Sequence, residues 1–77
     1  SIFINQPTTT DNNDIYCASV SGTSEARNIN HNDLREMTLD DGYIYGTSYE
    51  GNNPTGIARM KTDGTLFNKF SSATCLL

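Results

Sequence analysis

One stretch constrains this chain more than any other. In residues 43–49, Tyr43, Tyr45, Thr47 and Tyr49 alternate with Ile44, Gly46 and Ser48. A two-residue period of aromatic and β-branched side chains suits a half-buried strand and no helix. Residues 50–56 then hold Gly51, Asn52, Asn53, Pro54 and Gly56, which read as a hairpin loop, and residues 57–61 read as the returning strand. The chain must therefore contain an antiparallel sheet.

What else it contains is set by its size. At 77 residues there is room for one domain, expected to span 1–77, and only 35% of the residues are apolar. A domain this small buries about 60% of its unfolded surface, so its core is thin and often needs a staple or a partner. Cys17 and Cys75 are the only cysteines, and His31 the only histidine. Their spacing matches no metal motif. A Cys17–Cys75 bridge would close most of the chain and contribute roughly 4 kcal/mol in the chain-entropy model. Two free thiols, or pairing to another chain, are the alternatives. A bridge, scarce Lys and Arg, and a start at Ser1 without Met fit a processed, secreted chain.

The remaining segments read as follows. Ile2-Phe3-Ile4 suits an edge strand, and residues 5–13 a polar loop or arm. Residues 15–20 alternate as a strand. In residues 24–37, Ala26, Ile29, Leu34 and Met37 share a helical face, weakened by the asparagines at 28, 30 and 32. Asp33 could recap a shorter helix there. After Asp63-Gly64, residues Leu66, Phe70, Ala73 and Leu77 again fall on one helical face. The alternative is a hairpin turn at Asp63-Gly64 followed by a strand. With the helices, the expected fold class is α+β, a small α/β sandwich whose antiparallel sheet carries helices on one face and is completed by a partner chain. No convincing internal repeat stands out.

Few residues suggest chemistry. His31 sits in an Asn-rich segment without a nucleophile motif and reads as a surface histidine. Asp40-Asp41 before Gly42 reads as a turn rather than a metal or acid/base pair. No phosphate loop is present, and a formal charge of −4 with no basic stripe argues against nucleic acid. No cofactor and no catalysis are expected. The tyrosine face of Tyr43, Tyr45 and Tyr49, with Arg59 and Lys61 on the returning strand to stack on it, is either a partner or surface contact or half of a covered core. Nine acidic residues outnumber five basic ones. Asp33, Glu36, Asp40, Asp41 and Glu50 are the candidate pH-sensitive acids. Burial against a partner would raise their pKa values and favour assembly in acid.

Two resemblances accompany these readings. Asp41-Gly42-Tyr43-Ile44-Tyr45-Gly46-Thr47, continued by Lys61-Thr62-Asp63-Gly64-Thr65, resembles one blade of secreted β-propeller repeats. It covers about a third of the chain and implies shared hairpin chemistry, because one blade cannot close a propeller. The length, the Ser1 start, the sparse cysteines and the ending Leu66-Phe67-x-x-Phe70…Cys75 resemble subunits of fungal killer toxins. That resemblance implies an α/β sandwich, cleavage from a longer precursor, and pairing with a second toxin subunit from it. It also implies action on a target-cell membrane or surface. It carries over no functional residue.

Overall fold

A computed structural model describes residues 1–8, 13–21 and 25–73. Seven strands are present and, among the described residues, no helix: β1 (Ile2–Pro7), β2 (Asn13–Ala18), β3 (Arg27–Asn30), β4 (Asp33–Asp40), β5 (Tyr43–Glu50), β6 (Asn53–Lys61) and β7 (Asn68–Ser71). They form two antiparallel meanders, one in the order β1-β2-β3 and one in the order β4-β5-β6-β7. The expected α+β sandwich is thus replaced by an all-β fold of two sheets. Asn5, Gln6 and Pro7, expected in a polar loop, extend β1, and Asn13 opens β2.

Both expected helices fail for local reasons. Leu34 and Met37, three residues apart, mimic a helical period because β4 carries a bulge between Arg35 and Thr38. One extra residue in the bulge returns the side chain at 37 to the side of the side chain at 34. Glu36 takes a left-handed conformation there, with φ of 57°. Upstream, the Asn30 carboxamide oxygen accepts bonds from the Asn32 backbone N–H at 2.7 Å and from the Asn32 side-chain amide at 2.8 Å. This local closure competes with helical hydrogen bonding.

At the C-terminal end the Asp63 carboxylate accepts from the Thr65 N–H at 2.9 Å and the Thr65 hydroxyl at 2.6 Å. The Gly64 N–H donates to the Lys61 carbonyl at 2.9 Å. The segment therefore turns back as a hairpin, and Phe70 lies on β7 instead of a helix. A side chain at Gly64 would meet the Ile29 carbonyl oxygen at 2.2 Å, so this turn packs directly on β3. Asp41-Gly42, read as a turn, joins β4 to β5. Their φ values of 48° and 79° are the two positive angles of the tight hairpin turn that Asp-Gly favours.

The sheets share one core. Ile15 from the first sheet and Leu34, Ile44, Ala58 and Met60 from the second are fully buried, with Phe3, Ile29, Met37 and Phe67 packed around them. Polar groups also cross between sheets. The Asn5 amide donates to the Asp33 carboxylate and the Leu34 carbonyl, each at 2.9 Å. The Asn30 amide reaches the Gly64 carbonyl at 2.9 Å.

The two meanders also follow one path. Ile15-Tyr16-x-x-Ser19-x-x-Gly22 recurs as Ile44-Tyr45-x-x-Ser48-x-x-Gly51. Tyr16 pairs with Asn28 as Tyr45 pairs with Arg59, and Cys17 pairs with Arg27 as Gly46 pairs with Ala58. Strands β1-β2-β3 thus repeat the course of β4-β5-β6, a relation the sequence pattern alone had not made convincing.

Candidate functional site

Strand pairing divides the second sheet into two faces, because directly opposed residues project to one side and successive residues alternate. The pairs Ile44↔Met60 and Gly46↔Ala58 face the core. The pairs Tyr43↔Lys61 and Tyr45↔Arg59 face outward, where Asn68 of β7 pairs with Arg59 in turn. Among the described residues no helix covers this face. The tyrosine row is therefore half-exposed and lies opposite the buried core.

Arg59 organises its centre. The guanidinium carbon sits 4.3 Å from the Tyr43 ring centroid and 6.0 Å from that of Tyr45. Its Nη1 donates to the Tyr45 hydroxyl at 3.2 Å. That hydrogen bond, ahead of the charge interactions with Tyr45 and Tyr43, holds the Arg59 pKa above its ordinary value. The Phe70 ring stands nearly perpendicular to Tyr45, at 83° and 6.2 Å between centroids, and is 51% exposed. Tyr45, Arg59, Asn68 and Phe70 together line an open cleft of about 280 Å³.

At the other end of the face, Arg35 lies 4.2 Å from the Tyr49 ring centroid. It also grips the buried Asp33 carboxylate through Nε at 3.0 Å and Nη2 at 2.9 Å. The Asp33 hydrogen bond raises the Arg35 pKa above its usual value. This fork is a structural clamp, since Asp33 also receives the Asn5 amide across the sheets.

The sequence reading paired the tyrosines with Arg59 and Lys61. Arg59 stacks on Tyr43, while Lys61 opposes Tyr43 in the ladder and is exposed. Arg35, Asn68 and Phe70 were missed as members of the face. Reading Asp63-Gly64 as a hairpin turn would have brought Asn68 and Phe70 there.

The five candidate acids do not converge. Asp33 opens β4 and Asp40 closes it, beside the turn that holds Asp41. Glu36 lies in the bulge and accepts a long 3.3 Å bond from the Tyr49 hydroxyl. Glu50 ends β5. His31 has an 85% exposed side chain, and its Nδ1 lies 3.0 Å from the Asp14 carboxylate. Cys17 is half-buried opposite Phe3, and Cys75 lies outside the described residues. Among the described residues no three His, Cys, Asp or Glu side chains are grouped to hold a metal ion, and no helix is long and apolar enough to cross a membrane. A second hollow of about 270 Å³ opens between Phe3 and the β4 bulge, and no charged side chain lines it. Comparison with known proteins finds no matching family, no matching relative and no matching solved structure.

Proposed function

We propose that this chain is a secreted contact module rather than an enzyme, and that it binds through the outer face of the β4–β7 sheet. The observation that carries this reading is the Arg59 cluster. Tyr45, Arg59, Asn68 and the half-exposed Phe70 converge on a solvent-open cleft, and Tyr43 stacks on Arg59. Aromatic and arginine side chains are the groups most enriched where protein surfaces bind. The four-stranded antiparallel meander also suits the blade resemblance.

Retention on a panel of surfaces tests the proposal: immobilised polysaccharides, anionic and neutral lipid vesicles, and the chain itself followed by sedimentation. Retention on at least one surface is expected, lost in a Tyr45→Ser/Phe70→Ser variant that keeps a native spectrum. Self-association or lipid retention would be the behaviour a toxin subunit needs, and identifies the class of partner. Absence of retention throughout, or equal retention by the variant, refutes the reading.

A further inference from the structure

We propose that the Arg59 cleft is a binding site for a carboxylate carried on a single six-membered ring, such as a uronic acid residue. The inference rests on the contact-face reading above and names its ligand. Charge is the first argument. Among the described residues the ion pairs are His31–Asp14 and Arg35–Asp33, so no carboxylate lies within ion-pairing distance of Arg59. Its positive charge is held by two tyrosine faces and one hydroxyl, leaving guanidinium N–H groups for a ligand.

The donor inventory is the second. The Tyr45 oxygen accepts from Arg59, so its own proton is free to donate. Asn68 adds an amide and an exposed position on β7. The side-chain donors of Arg59, Tyr45 and Asn68 therefore outnumber the acceptors, the Tyr45 and Asn68 oxygens, which suits an anion. A planar guanidinium is the donor that best matches a carboxylate.

Shape is the third. At about 280 Å³ the cleft lies just below the range of about 300–1,000 Å³ typical of small-molecule sites, so it suits one ring rather than a chain of them. Phe70, standing on edge against Tyr45, gives that ring an apolar wall.

The parallel course of the two meanders supplies an internal control. The position of Arg59 is taken in the first meander by Asn28, and that of Tyr43 by Asp14. There the Asn28 amide donates to the Asp14 carboxylate at 2.7 Å, and Asp14 is buried. The same strand course thus carries a buried acid bonded by Asn28 and His31 where the second unit has an arginine with, among the described residues, no opposing carboxylate. The strand course alone therefore does not dictate a charge at this position, and a ligand gives that charge a role.

The test is an amide-resolved NMR titration of the full chain with glucuronate, benzoate, glucose and acetate. Saturable shifts at Tyr45, Arg59, Asn68 and Phe70 are expected with glucuronate or benzoate, the pair separating a sugar acid from an aromatic one. Glucose and acetate, each lacking one half of the ligand, should bind at least tenfold more weakly. Arg59→Gln should abolish saturation with an otherwise unchanged spectrum. Phe70→Ala should weaken the ring ligands while leaving the acetate response as it was. Ring carboxylates that bind no better than glucose or acetate, or equally well to Arg59→Gln, overturn the inference. If surface retention still depends on Tyr45 and Phe70 in that case, the contact face stands and only its ligand falls.

Discussion

A shared core makes the two sheets one cooperative unit, and Ile15→Val measures whether they are. Ile15 is the one fully buried large side chain that the first sheet gives to the core, where it meets residues of β4, β5 and β6. The substitution removes a single methyl group and keeps the β-branch that β2 prefers. Such deletions cost about 0.5–1.5 kcal/mol. For a domain of this size that lowers the melting temperature by about 2–12 °C. The same free energy, if global, speeds exchange of protected amides by about 2- to 12-fold. The assay is hydrogen exchange read at Gly46, Ala58 and Met60, which lie on β5 and β6, remote in sequence from residue 15. Acceleration there equal to that in β2 is expected. If β5 and β6 keep their wild-type rates while β1–β3 alone exchange faster, the sheets are separate units and the shared-core argument is wrong.

Three further outcomes follow from particular contacts. Gly46→Ala places a Cβ 2.6 Å from the Arg35 carbonyl oxygen and 2.9 Å from Leu34 Cγ, so the β4–β5 ladder must open. A loss of about 1–3 kcal/mol is expected in chemical denaturation, and no loss would mean the strands are not this close. Glu36→Gly removes a left-handed non-glycine residue at φ 57° and gives up a long hydrogen bond from Tyr49. A net gain of about 0.5–1 kcal/mol is expected, and a destabilised variant would show that the side chain holds the bulge. Asp63 has a pKa lowered first by the Thr65 hydroxyl and then by the Thr65 N–H. Its contribution is therefore present above the ordinary carboxyl value of about 3.9 and is lost as pH falls through the lower folded value. The Thr65 amide should move to an unbonded chemical shift in that acidic window, and an unchanged shift at full protonation refutes the assignment.

How much of this was legible depended on whether local pattern and tertiary environment agreed. They agree at 43–49, where alternation is uninterrupted and β5 ends within one residue of expectation. They agree also at Ile2-Phe3-Ile4 and at 57–61, which lie in β1 and β6. They diverge wherever a strand is irregular. The bulge at Glu36 gave Leu34 and Met37 a spacing of three, indistinguishable in sequence from one helical turn. At Leu66, φ is 56°. That single left-handed residue separates the Asp63 turn from Phe67, which packs on the core, while Phe70 lies on the opposite face. A helix reading put 66 and 70 on one buried face, whereas Leu66 is 65% exposed. The outer site suffered most from this, since two of its four cleft residues come from the strand that was read as helix. Arg59 and the tyrosines were legible because they rest on the two strands whose period was clear.

The two units suggest which residues answer to folding and which do not. Ile15 and Ile44 hold matching places and are both fully buried in one core. Tyr16 and Tyr45 also match, and each continues onto a neighbouring strand at Asn28 or Arg59. The chemistry is kept at these two pairs of positions but not at Cys17 and Arg27, which stand where Gly46 and Ala58 do. It departs again beside the matched tyrosines: Asp14 and Asn28 bond each other in one unit, while Tyr43 and Arg59 stack in the other. Burying Asp14 requires partners, and Asn28 and His31 provide them. Arg59 is only half-buried and has water available, so it makes no such demand. An arginine held over aromatic rings with no opposing charge gains little for stability at an exposed site, about 0.5–1 kcal/mol. It gains considerably more once a ligand excludes water from the cleft, because the same charge then acts in a lower dielectric. The stacking that fixes the guanidinium in advance also lowers the entropy lost on binding. The arrangement is thus worth more to a complex than to the free fold, which is the physical ground for placing the contact at Arg59 and not at the buried Asp14 pair.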